Sequence, residues 1–177
     1  MTAVVLFLLA GFQFDLPGEK HVTLTIAAEP VDPFDVGNSP SGKLTVRRGE
    51  TFFVVLKGTP QAGWYTYPAT KHAKEQPDGQ LAKFTIKGDY VVPLWPLRET
   101  EPEWKDTGIG WHLQHKKPFI WTQEVFVKPD APAGKVLTLT YELDLQVCKD
   151  SCIQEHQSLT LEVTVRPDPP RSPEAQK

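Results

Sequence analysis

Two cysteines are the only ones in this chain of 177 residues, and they lie four positions apart in the segment Cys148-Lys149-Asp150-Ser151-Cys152. A pair of thiols this close supports two chemistries: reversible disulfide formation, or ligation of a soft metal. For the first, the Cα atoms must approach to roughly 4.4–6.8 Å, whereas four steps along an extended strand span about 13 Å. The chain must therefore reverse between them, and Lys149-Asp150-Ser151 has suitable turn chemistry. Apolar residues alternate with polar ones at Leu137, Leu139, Tyr141, Leu143, Leu145 and Val147, and again at Leu159, Leu161, Val163 and Val165. Period-two alternation marks half-buried strands. The cysteines are thus expected at the tip of an antiparallel hairpin.

A bond at that place would be a weak staple. Closing a five-residue ring removes only about 2 kcal/mol of unfolded-state entropy, and the hairpin already joins the two strands. It is better suited to exchange. Cys148 falls on the polar parity of its strand, which predicts a reachable thiol. Lys149 would lower the pKa of an attacking thiol, whereas Asp150 and Glu155 would raise it. The bland alternative is a binding or structural module with a permanent disulfide, the usual role of cysteine pairs in exported domains.

The elements that must carry this hairpin read as strands throughout. Seventeen prolines, twelve glycines and a single methionine accompany few helical periods, the composition of a turn-rich all-β chain. Further strands are expected at His21–Ala27, Lys43–Arg47, Thr51–Lys57, Ala82–Lys87, Tyr90–Val92 and Phe119–Val127, with one helical turn after Thr70 in the KHAKEQ stretch. Seven or eight strands in this spacing predict an all-β sandwich of two antiparallel sheets, a single domain over residues 19–166. Residues 1–18 hold an apolar run resembling a secretory signal, shorter than the ~18–20 residues a membrane-spanning helix needs. Residues 167–177 are proline-rich and read as a disordered tail. With a net charge of −3, nothing suggests a nucleic-acid surface. Between Pro93 and Pro118 the chain carries three tryptophans (Trp95, Trp104, Trp111), four prolines and many charges. It is expected as a long loop, either pinned to the sandwich or acting as a lid.

Three segments together resemble the N-terminal periplasmic domain of the thiol:disulfide interchange protein DsbD. They are Gly63-Trp64-Tyr65-Thr66-Tyr67-Pro68, the strand and turn from Phe119 to Gly134, and the Cys148–Cys152 hairpin from Leu143 to Val165. The resemblance implies an immunoglobulin-like domain outside the cytoplasm that needs no cofactor. It would carry electrons between thioredoxin-fold proteins or domains, with a membrane-embedded electron-transfer protein as a further partner. It also implies that Cys148 and Cys152 are the redox pair, with Cys152 forming the interprotein bond and Cys148 resolving it. Tyr65 and Tyr67 would flank the cysteines, and the tryptophan-rich stretch would be a cap, with Trp104 and Trp111 the candidate shielding rings. Three residues separate the cysteines where the family has four or five, and Ile153-Gln154-Glu155 replaces the prolines usual there.

The metal alternative rests on Cys148-x3-Cys152-x3-His156, a spacing that resembles the copper loop of the CuA domain of cytochrome oxidase subunit II. Two thiolates and an imidazole suit copper or zinc. Leu159 stands where that family has a methionine, and His112 and His115 are the upstream candidates for a further ligand.

Overall fold

The structure, a computed structural model, describes residues 19–31 and 44–171; the signal-like segment and the last six residues lie outside this range. Eleven strands run in chain order: β1 Val22–Pro30, β2 Thr45–Val46, β3 Thr51–Pro60, β4 Tyr65–Thr66, β5 Lys83–Lys87, β6 Val91–Glu99, β7 Glu103–Asp106, β8 Trp111–Gln114, β9 Phe119–Val127, β10 Val136–Cys148 and β11 Cys152–Val165. One sheet has the order β1-β3-β9-β6. The other has the order β2-β11-β10-β4, with β5 also paired to β10. All pairings within these sheets are antiparallel except the short β11–β2 contact. The protein is an all-β, immunoglobulin-like antiparallel sandwich, the sandwich that its strand pattern predicts and the immunoglobulin-like form that the resemblance implied.

The alternation explains the packing. Along β9, Phe119, Trp121, Gln123, Val125 and Val127 point inward, and along β10, Leu137, Leu139, Tyr141, Leu143, Leu145 and Val147 do the same. These faces meet Phe52, Val54 and Leu56 of β3 and Val163 and Val165 of β11 in one core. Each large side chain so buried is worth roughly 1.5–3 kcal/mol. The fit is closest at Gly58, where an added Cβ would stand 2.1 Å from Cζ of Phe119. Glycine is needed there to let the ring lie against the backbone.

The long loop expected between Pro93 and Pro118 is instead three strands. β6 is the edge of its sheet and pairs only with β9, with a register shift between Leu94 and Arg98. Prolines are admitted on an edge strand; they disguised β6 beyond its start in the expected Tyr90–Val92. The chain then leaves the sandwich as the two-stranded β7–β8 hairpin, pairing Glu103 with Gln114 and Asp106 with Trp111. The helical turn expected in KHAKEQ is a turn closed by Gln76 N–H on Ala73 O at 3.1 Å. A short 3-10 helix follows at Asp78–Gln80. The start of the proline-rich tail is described as far as Arg171 and is hydrogen-bonded to the β2–β3 turn. There, Arg47 Nε donates to Pro169 O at 2.7 Å, and Arg171 N–H donates to Arg48 O at 2.9 Å.

Candidate functional site

β10 and β11 pair in unbroken register from Val136↔Thr164 to Cys148↔Cys152. At the end of this ribbon the two cysteines are joined, with an S–S distance of 2.04 Å and Cα atoms 4.1 Å apart. Lys149 N–H donates to Ser151 O at 3.0 Å and closes the turn that brings the sulfurs together.

The two sulfurs have unequal surroundings. Cys152 is exposed, whereas Cys148 is 1% exposed. Strand parity alone put Cys148 on the open face, and that expectation is corrected by a contact from far along the chain. β4 pairs with the end of β10, Tyr65 opposite Cys148 and Thr66 opposite Val147, and Thr66 Oγ1 donates to Gln146 O at 3.0 Å. The strip that begins with β4 therefore lies over Cys148. The positive φ of Gly63 (83°) permits the turn leading into it, and the Lys149 side chain lies over that glycine.

Tyr67 is the next residue of this strip to matter. Its hydroxyl lies 3.8 Å from Cys148 Sγ. A disulfide sulfur carries no hydrogen, so the phenol is the donor in this contact. Burial, together with neighbouring Tyr65, pushes the Tyr67 pKa well above its ordinary value, so the phenol stays protonated. A neutral O–H aimed at Cys148 would favour negative charge on that sulfur when the bond opens. Tyr65 meets Tyr67 edge to face, ring centres 5.7 Å apart, so both tyrosines singled out by sequence stand beside the pair.

The cap candidates are placed differently from one another. Trp104 and Trp111 pack against each other edge to face at 6.4 Å, and both rings are exposed on the β7–β8 hairpin. From that hairpin it is His112 whose ring approaches Tyr67, at 6.4 Å. Trp95 lies against Phe84 at 5.9 Å instead.

His156 does not join the cysteines. It is four positions beyond Cys152 on an extended strand, about 13 Å away, and its two nitrogens are engaged by Asp144 at 2.9 Å and Glu142 at 3.1 Å. The hydrogen bond to Asp144, with Glu142 assisting, raises the His156 pKa and favours imidazolium over a metal-binding neutral ring. Among the described residues no group of three His, Cys, Asp or Glu side chains is arranged to hold a metal ion.

Glu155 also departs from its expected influence on the thiols. It alternates to the inner face of β11, opposite to the cysteines, and there accepts from His21 N–H at 2.7 Å and contacts His21 Nδ1 at 2.8 Å. Gln157, next on that face, donates to Val22 O at 2.7 Å. Near the tip the two sheets are thus joined by hydrogen bonds where the rest of the sandwich is joined by apolar packing. Sequence reasoning missed Gln157 and set Glu155 beside the thiols, although the alternation of β11 continued back from Val163 would have placed both inside.

No protein-family model matches the chain, and no curated protein matches it in sequence. Among solved structures it is similar to the N-terminal periplasmic domain of ScsB from Proteus mirabilis, with 18% identity and a TM-score of 0.49. That alignment covers 91% of this chain and 52% of the other, so this chain spans about half of that domain's length. It is also similar to the Neisseria meningitidis DsbD N-terminal domain in the reduced form, with 14% identity and a TM-score of 0.37, over 63% of this chain and 75% of that one. The major pilin subunit BcpA of Bacillus cereus matches at 11% identity and a TM-score of 0.45, over 81% of this chain and 40% of the pilin. At these identities the likeness is one of fold alone. No helix among the described residues is long and apolar enough to cross a membrane.

Proposed function

We propose that the protein is an extracytoplasmic thiol–disulfide exchange domain, passing electron pairs through Cys148 and Cys152 between thioredoxin-like proteins. The observation that carries this reading is the asymmetry of the disulfide: one sulfur is open at a hairpin tip and the other is covered beside a phenol. A permanent staple has no use for that difference, whereas exchange needs one sulfur to be attacked and the other to leave.

The steps follow from the geometry. A partner thiolate attacks Cys152 Sγ, the only sulfur of the two that is exposed. The Cys148–Cys152 bond breaks, and its electron pair remains on Cys148 Sγ, where the Tyr67 hydroxyl favours the charge. The partner's second thiolate then attacks its own bridging sulfur, releasing Cys152 as a thiolate and leaving the partner oxidised. The two electrons lost by the partner now reside on the two thiolates of this domain, which take up protons from solvent according to pH. In the return half, Cys152 attacks the disulfide of a second protein, and Cys148 resolves the mixed disulfide. No cofactor enters either half.

The test is covalent trapping. Cys148→Ser leaves Cys152 without its resolving partner and should accumulate a mixed disulfide with a thioredoxin-fold protein. Cys152→Ser, whose remaining thiol is covered, should accumulate far less. If neither variant traps such a protein under conditions where thioredoxin itself is trapped by a control disulfide, the proposal fails.

A further inference from the structure

Glu99 plays no part in the exchange steps above, yet its side chain is fully buried and gathers donors from several segments. Oε1 accepts from the backbone N–H groups of Thr70 and Lys71, both at 3.0 Å, and from the Thr70 hydroxyl. Oε2 accepts from Ala69 N–H at 2.9 Å and faces His115 Nε2 at 3.7 Å. The His115 ring is itself buried and stacked on Phe119 at 4.6 Å, and its Nε2 has no hydrogen-bond partner.

The position of this cluster gives it a task. Glu99 ends β6 and His115 follows β8, so the two residues close the root of the β7–β8 hairpin. The same two residues grip the strip over Cys148 at both ends. His115 N–H donates to Thr66 O at 2.7 Å and Thr66 N–H donates to His115 O at 3.1 Å, just before Tyr67. Glu99 takes the amides of residues 69–71, just after it. Tyr67 therefore sits in a short span held on one side by the His115 backbone and on the other by the Glu99 carboxylate.

We propose that Glu99, together with His115, is a positioning group: it clamps residues 66–71 so that Tyr67 stays over Cys148 and attack is confined to Cys152. This rests on the exchange reading, but its consequence is a difference in sulfur accessibility that can be measured without a partner protein. Three consecutive backbone N–H groups converge on one anion, and a neutral amide cannot accept from all of them. In Glu99→Gln the new NH2 would oppose either the Ala69 N–H or the Thr70 and Lys71 donors, so the span would loosen.

The experiment measures second-order alkylation rates by iodoacetamide on Cys152→Ser, which reports on Cys148, and on Cys148→Ser, which reports on Cys152. Each is measured with and without Glu99→Gln, on protein shown by circular dichroism to be folded. Glu99→Gln should raise the Cys148 rate by about tenfold or more and leave the Cys152 rate within about twofold, because only the covered thiol needs a local opening to react. Thr70→Val, which removes one donor from the loop surface, should raise the Cys148 rate by a smaller factor, about twofold to threefold. It decides the matter should Glu99→Gln fail to fold. An unchanged Cys148 rate, or equal acceleration of both thiols, overturns the proposal. Failure of the exchange reading would show itself separately, as absence of trapping with normal alkylation behaviour.

Discussion

Reducing the Cys148–Cys152 bond in the folded protein should lower the melting temperature by only roughly 4–8 °C. The magnitude follows from the ring that the bond closes, which joins residues four apart. So short a loop removes about 2 kcal/mol of unfolded-state entropy. For a domain of this size each kcal/mol moves the midpoint by about 2–4 °C. Nothing else in the fold depends on the bond. The β10–β11 register runs back from the cysteines to Val136↔Thr164, and the β4 contact and the apolar core remain without it. The assay is calorimetry or circular dichroism melting with and without a dithiol reductant at fixed pH, with thiol titration confirming complete reduction. A fall of more than about 15 °C would be at least about twice the loop-closure figure, and loss of the cooperative transition would lie outside it altogether. Either result would show that the bond holds the sandwich together, and the argument for a switch would collapse.

Three further outcomes are expected. Gly58→Ala should destabilise by about 1–3 kcal/mol or more in denaturant titration, because its Cβ would meet the Phe119 ring at 2.1 Å; a neutral result would mean the two strands can part freely there. Burial alone would raise the Glu99 pKa, but His115, the Thr70 hydroxyl and the Ala69 and Thr70 amides outweigh it and hold the carboxyl at about 2, below its usual 4.5. Its stabilisation, up to about 3 kcal/mol, is therefore complete above pH ~4.5 and lost as pH falls toward 2; the stability gap between parent and Glu99→Gln should close over that window, and a pH-independent gap would refute the assignment. Trp104→Ala and Trp111→Ala should each cost no more than about 1 kcal/mol, the worth of one exposed aromatic pair, since both rings are open to solvent. A larger loss in urea titration would mean that the hairpin is part of the sandwich's support.

Strands with one face in the core were legible because burial writes itself into the sequence with period two. β9 coincides with the expected Phe119–Val127, and β10 and β11 with the expected hairpin. β6 was legible only at its start, within the expected Tyr90–Val92, and β7 and β8 not at all, because an edge strand carrying prolines and a hairpin wet on most of its surface leave no such alternation. In the site, the pairing at the tip and both tyrosines could be anticipated from local pattern and resemblance. The cover over Cys148 could not, since it comes from β4, some eighty residues earlier in the chain. Glu99 was invisible for the same reason: its donors are backbone amides about thirty residues away, and backbone amides have no residue type to read.

β6 forms an outer margin of the four-stranded sheet, and Pro93 and Pro96 stand within it on either side of Trp95. A strand from a second molecule that tried to zip onto this margin would find prolines in it and the ladder out of step between Leu94 and Arg98. Side-by-side accretion of molecules along this flank, the first event in fibre growth, is thereby discouraged by the same residues that hid the strand from sequence reading.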